Sequence, residues 1–297
     1  MSRTDDEGNR VTRQMESDQF NARGIEAADR RWFDEAVTAF KRAIELDPTS
    51  AHAHDNLATV YSEQGEYILA LGEYLEALRL EPDSPTAHYN IACFLSSMAH
   101  DMAIEEYEQA IRLDFDYSDA HVNLGLCHVD AGDHEKAIEA FRTACEISPE
   151  DTGARQELAA SLVDVGEYAE AIRLLKDIVR AEPNNVDALI DLGIAYSAQG
   201  FYAEAESNFL RAIESSPEEL AATYHLATLY GAWGRPDEAV DQLARALALD
   251  APRVRDWIEA DRVFDLLRDQ PSFVALMQRY PRIPKSRRRS STPRPAF

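Results

Sequence analysis

The sequence predicts an all-α protein built as a tandem array of helical hairpins, and three observations carry that reading. Alanine recurs at Ala36, Ala70, Ala103, Ala137, Ala171, Ala205 and Ala239, at intervals of 34, 33, 34, 34, 34 and 34 residues. Four places after each stands an aromatic residue or leucine: Phe40, Tyr74, Tyr107, Phe141, Leu175, Phe209 and Leu243. Three places further come Ala43, Ala77, Ala110, Ala144, Ile178, Ala212 and Ala246. Residues at these offsets share one face of a helix, so each copy carries a packing stripe. Proline closes five copies, at Pro48, Pro82, Pro149, Pro183 and Pro217, because it has no N–H with which to continue a helix.

Residues 51–84 show how one copy is put together. Leu57, Ala58 and Tyr61 share a face of its first helix, and Ala70, Tyr74 and Ala77 share a face of its second. Gly65 suits the tight turn between them, where a positive φ is needed. Pro82 ends the second helix, Asp83 and Ser84 offer capping oxygens to the next, and Pro85 fits that helix's first turn. A hairpin this short buries only one side of its apolar stripe and needs neighbours.

Taken in order, residues 1–16 are polar and aperiodic and read as a disordered segment. Seven copies follow, over 17–50, 51–84, 85–117, 118–151, 152–185, 186–219 and 220–253. The third is one residue short in its inter-helix turn (SSMAHDMA), lacks the glycine there, and has Phe115 in place of proline. The seventh carries Pro236 at a usual aromatic position and Ala251 before Pro252. In residues 254–281, Trp257, Phe264, Leu267, Phe273, Leu276 and Met277 supply an apolar face, as expected of helices that cap the exposed end of an array. Residues 282–297, RIPKSRRRSSTPRPAF, hold six bases and no acid and read as a disordered basic tail.

With these residues in view, the chain resembles the tetratricopeptide repeat (TPR) family, whose 34-residue unit has this small–aromatic–small–proline pattern. The resemblance spans residues 17–253. It implies a right-handed superhelical solenoid of antiparallel helix pairs, with the first helix of each pair lining the concave side. It also implies a non-catalytic interaction protein whose ligands are polypeptides.

Composition narrows the partners. The chain has 54 acidic residues against 30 basic ones, a formal charge of −24. Without the tail's six bases, the remaining 24 bases and 54 acids give −30. Such a body argues against nucleic acid or anionic lipid as its ligand and favours extended segments that are basic or polar. Only Lys41, Lys136, Lys176 and Lys285 are lysines. An acid-rich, lysine-poor surface fits adaptation to a salty cytoplasm, and it also fits an ordinary acidic scaffold. The first twenty residues hold no apolar signal core, and no run of about 18 apolar residues would span a membrane. Cys93, Cys127 and Cys145 are odd in number and widely spaced, reading as reduced thiols, so the expected compartment is the cytoplasm.

The resemblance places ligand contacts on the first helices. The positions concerned include His52, Asp55, Asn56, Tyr89, Asn90, Asp119, Asn123, Asp187, Asp191 and Tyr224. None is lysine or arginine, so the clamp by which some TPR domains grip a terminal carboxylate is not expected there. Asn56, Asn90 and Asn123 occupy the same sixth place in three successive copies, and an amide offers both a donor and an acceptor to an extended backbone. His54, His88 and His121 also recur in register. Three side chains one repeat apart do not converge on an ion about 2 Å from each, so packing between repeats is expected of them. No phosphate loop, H-E-x-x-H or G-x-S-x-G motif is present, and no enzyme, cofactor or metal is expected. The alternative reading is a self-assembling scaffold whose basic tail docks into the acidic groove, in cis or in trans.

Overall fold

The computed structural model describes residues 3–281. Fourteen helices follow one another as seven pairs: α1 (Arg3–Asp29) with α2 (Phe33–Leu46), α3 (Ala51–Glu63) with α4 (Tyr67–Leu80), α5 (Pro85–Ser96) with α6 (His100–Leu113), α7 (Ser118–Asp130) with α8 (His134–Ile147), α9 (Thr152–Asp164) with α10 (Tyr168–Ala181), α11 (Val186–Ala198) with α12 (Tyr202–Ser215), and α13 (Leu220–Ala232) with α14 (Pro236–Leu249). Then come α15 (Ala251–Ala260), a 3₁₀ turn over Arg262–Leu267 and α16 (Pro271–Arg279). The chain divides into two compact units between Ser161 and Leu162, within α9.

Local chemistry sets the helix ends. Ser50 and Ser84 accept hydrogen bonds from the N–H groups of Ala53 and Ala87, capping α3 and α5. At the α3–α4 turn, Gly65 takes φ +79° while the N–H of Glu66 reaches back to the carbonyl of Tyr61 at 2.9 Å. This is the glycine-ended helix stop that the sequence pattern predicts. In the first pair Arg31 fills the same left-handed position, at φ 60°. The short third turn closes differently. There the N–H groups of Met98 and Ala99 both bond the carbonyl of Leu95, at 2.9 and 2.8 Å. One residue fewer means that the chain turns without a left-handed residue, which is why no glycine is needed.

In the first unit the alanines Ala36, Ala70, Ala103 and Ala137 are wholly buried, with Phe40, Tyr74, Tyr107 and Phe141 beside them. Small residues let the helices approach and the rings fill what remains, each fully buried ring contributing roughly 2–3 kcal/mol. Phe40 and Phe141 lie so close to Gly24 and Gly125 that a Cβ on either glycine would sit 2.5–2.8 Å from the ring. Along this unit successive first helices touch, α1 with α3, α3 with α5 and α5 with α7, whereas contact between successive second helices is slight at most. The first helices therefore form a continuous face. α4 lies against α5 less extensively than α2 against α3 or α6 against α7. It also turns Ile68, Leu71 and Leu75 outward, Ile68 being 89% exposed.

In the second unit α11 and α13 are likewise in contact, and the 3₁₀ turn packs against α13. Val254, Ile258, Phe264, Leu267, Phe273 and Leu276 are buried there, covering the last pair.

The start of the chain differs from the sequence reading. α1 begins at Arg3, so residues expected to be disordered up to 16 belong to a helix. The packed part of α1 supplies the nucleus, and extending a helix from an existing end adds one hydrogen bond per residue fixed. The basic tail, residues 282–297, lies outside the described residues.

Candidate functional site

The three register asparagines lie on α3, α5 and α7, and each is bonded to the preceding repeat. The Nδ2 of Asn56 donates to Asn21 Oδ1 at 3.1 Å. Asn90 Nδ2 donates to Asp55 Oδ2. Asn123 Nδ2 donates to Tyr89 Oη at 3.0 Å and lies 3.7 Å from Cys93 Sγ. The rule is uniform: an amide at the sixth place of one copy reaches the acceptor at the fifth place of the copy before. These side chains are thus joints between repeats as well as features of the first-helix face. What remains for a ligand is the amide oxygen of each and, at Asn56 and Asn90, one further N–H.

The pairing was partly visible in the sequence. Asn21, Asp55 and Tyr89 are all able to accept a hydrogen bond, and each precedes an asparagine by 34 or 35 residues. What the period alone did not reveal is that fifth and sixth places meet across the joint.

Asp55 is the most perturbed acid of the strip. Burial pushes its carboxyl up to about 6, against the opposing pull of the Asn90 bond and of the neighbouring His52. Its Oδ1 is buried with no partner among the described residues. His52 itself is exposed. Tyr89 is half-buried, with ring centroids 4.8 Å from Tyr117 and 5.9 Å from Tyr107, and burial raises its hydroxyl above the ordinary phenol value. Tyr107 donates to Cys93 Sγ at 3.3 Å, so Cys93 sits amid Tyr89, Tyr107 and Asn123. All three cysteines are free thiols. Asp119 is exposed on the first turn of α7.

The remaining positions fall in the second unit. Asp187 is exposed on α11, and Asp191 is half-buried and engaged. Tyr224 is not on an open face: it is 7% exposed, packed 4.9 Å from the ring of Trp257 and 6.0 Å from Phe264, with its hydroxyl 3.4 Å from Asp261. The capping segment covers it. Only its edge reaches a cleft of about 490 Å³ shared with His225, Trp257 and Asp261.

Each register histidine reaches a carbonyl at the end of the preceding copy, and two of them also meet a glutamate of their own copy. His88 Nε2 lies 3.0 Å from the Pro82 carbonyl and its Nδ1 lies 2.6 Å from Glu106. His54 Nδ1 lies 2.6 Å from Glu73 in the same way, and that bond raises the imidazole above its ordinary value. His121 Nε2 lies 2.9 Å from the Phe115 carbonyl. Among the described residues no group of His, Cys, Asp or Glu is placed to hold a metal ion, and no helix is long and apolar enough to cross a membrane.

Comparison with known proteins agrees with this architecture. Tetratricopeptide repeat patterns match residues 33–65, 59–93, 162–207 and 186–251. The pattern of anaphase-promoting complex, cyclosome, subunit 3 matches residues 96–178. No curated protein matches in sequence. Among solved structures, PilF of Pseudomonas aeruginosa is 23% identical with a TM-score of 0.63, covering 71% of this chain and 96% of its own. The C-terminal part of a TPR repeat-containing protein from Cytophaga hutchinsonii is 18% identical with a TM-score of 0.63, over 78% and 97% of the two chains. YrrB, described as a TPR protein with an unusual peptide-binding site, is 21% identical with a TM-score of 0.53, over 63% and 98%. At these identities the likeness is one of fold. Matched patterns, paired helices and period together define the class: this chain is a tetratricopeptide repeat protein.

Proposed function

We propose that this protein is a scaffold that holds extended polypeptide segments of partner proteins along the first-helix face of its first unit. Protein–protein interaction is the role that the family supports. The observation that carries the finer reading is the seam of Asn56, Asn90 and Asn123. It fixes three amides at one-repeat spacing and leaves their oxygens as acceptors for the backbone N–H groups of a ligand. Asp55 and Asp119 add negative charge to the strip, so the favoured ligand is basic or polar. The acidic body, the absence of catalytic motifs from the sequence and a cytoplasmic setting complete the proposal.

The test is fluorescence anisotropy with an arginine-bearing extended peptide and an acidic peptide of equal length. The basic peptide should bind, and its affinity should fall as salt rises from about 0.05 to 0.5 M, because screening shortens the reach of surface charge. Asn123→Ala should weaken binding without loss of helical signal. Equal binding of both peptides, or indifference to salt, would remove the electrostatic part of the proposal.

Self-association is the second reading, favoured by the outward-facing Ile68, Leu71 and Leu75 of α4. Light scattering over a concentration series, with Ile68→Lys as control and with residues 282–297 deleted, separates the α4 stripe from the basic tail as its cause.

A further inference from the structure

Two copies of the array anchor a histidine in the same way. The ring of His88 is held by the Pro82 carbonyl at Nε2 and by Glu106 at Nδ1. His54 has Glu73 at Nδ1 and the Pro48 carbonyl on its other side. Both glutamates stand three places after the repeat's buried alanine, Ala70 or Ala103. In the next copy the histidine is kept and the carboxylate is not. His121 Nε2 meets the Phe115 carbonyl at 2.9 Å, but the place of the glutamate, three after Ala137, is Ala140. Among the described residues no hydrogen bond reaches His121 Nδ1, although the residue is only 6% exposed.

The space opposite His121 is open. It belongs to a cleft of about 380 Å³ between α6, α7 and α8, lined by His121, His128 and Ala140 together with Arg112 and Lys136. His128 is 7% exposed and its ring has no hydrogen bond among the described residues. Phe115, which replaces the usual proline, is 63% exposed and stands edge-on to His121 at 5.4 Å, walling one side. The cleft also contains acids. Glu108 lies 3.6 Å from Arg112, and Glu139 is exposed on α8. Lys136 is 2.8 Å from Asp133. Both of these ion pairs are exposed and therefore weak, so a third carboxylate competes for either cation.

We propose that this cleft is a carboxylate-binding site, in which an aspartate or glutamate side chain of a partner polypeptide takes the place that Glu73 and Glu106 fill in the two preceding copies. The site is separate from the asparagine strip, because His121 and Asn123 are two residues apart on α7 and point about 200° from each other. It also selects the opposite charge.

The proton balance follows from the anchor. Nε2 donates its hydrogen to the Phe115 carbonyl, so a neutral ring presents a lone pair at Nδ1. A carboxylate requires a proton there, and binding takes up one proton from solution to form imidazolium. Binding is therefore linked to the uptake of that proton and is lost when the carboxylate itself protonates. Burial and the nearby Lys136 push the His128 imidazole below its ordinary value.

The experiment uses the full chain with ¹⁵N-labelled histidines, titrated with N-acetylglutamate α-amide and, as control, N-acetylglutamine α-amide. The glutamate probe should shift the His121 ring nitrogens saturably and move its titration midpoint upward, and the glutamine probe should do neither. Ala140→Glu should raise the His121 midpoint without any probe and abolish the response. Ala140→Gln should abolish the response without raising the midpoint. Equal effects of the two probes on the unmutated protein, or an unchanged His121 midpoint in a helical Ala140→Glu protein, would overturn the inference. The probe comparison decides alone if that variant does not fold.

Discussion

The ring of Phe141 occupies the volume that a side chain on Gly125 would need: a Cβ there would lie 2.6 Å from the ring's Cε1. The same pairing recurs at Gly24 with Phe40 and at Gly193 with Phe209. Where the register instead has alanine, as at Ala58 and Ala92, the ring is a tyrosine, and Ala227 is matched by Leu243. The two tyrosine hydroxyls bond Thr59 and Cys93, one residue beyond each alanine. Phenylalanine thus goes with glycine, and a tethered ring or a leucine with alanine.

Gly125→Ala should accordingly destabilise the protein by about 1–3 kcal/mol, the usual cost of overpacking, despite alanine's better helix propensity. Adding Phe141→Leu to Gly125→Ala, which copies the Ala227 and Leu243 pair, should recover part of that loss. Urea denaturation of the two variants measures both, and additive losses would show that the residues are not coupled.

Asn90→Ala should cost about 1–3 kcal/mol, because it strips the remaining partner from the partly buried carboxylate of Asp55. The pH dependence has a definite sign. Asp55 is raised from 3.8 to about 6 on folding, so the folded state holds this proton more tightly than the unfolded one. The contribution is fully present below pH 3.8 and is lost as pH rises through about 6. Asp55→Asn should flatten that part of the stability profile, as measured by urea midpoints from about pH 4 to 7.

His54 gives a slope of the same sign at higher pH. Its imidazole is raised above 6.5, chiefly by the bond to Glu73. The stabilisation is complete below the unfolded value and fades as pH rises through the folded one. Glu73→Gln should lower the His54 midpoint seen by NMR and destabilise the protein more at about pH 6 than at about pH 8.

Arg31 holds a left-handed conformation that glycine holds in five other turns. A non-glycine residue there costs on the order of 1 kcal/mol. Arg31→Gly should raise stability by about 0.5–1 kcal/mol, part of the gain being offset by the greater freedom of glycine in the unfolded chain. Thermal unfolding checks the direction.

The architecture was legible because its signals repeat. Seven alanines in phase leave little room for another period, and Gly65 and Pro82 mark where one copy bends and ends. Single features with no second copy to compare were harder to read. The short turn at Met98 was visible, but its closure without a left-handed residue depends on backbone bonds that no side chain announces. The sequence also placed Tyr224 by register on an open face, and only the fold of residues 251–279 shows that the cap lies over it. For the asparagines, position was readable and partnership was not. Burial of Asp55 depends on neighbours a full repeat away, which also determine its unusual acidity.

The three joints of the first unit are closed by chemically different latches: amide to amide at Asn21 and Asn56, amide to carboxylate at Asp55 and Asn90, and amide to phenol at Tyr89 and Asn123. Only the middle latch changes charge near neutrality, and it lies where α4 meets α5 least. In an array held by nearest-neighbour terms, the weakest joint decides where the chain parts. The first unit therefore has a built-in fracture line between its second and third helix pairs. A rise of pH through about 6 weakens that line, and hydrogen exchange would reveal it as earlier opening of α4 and α5.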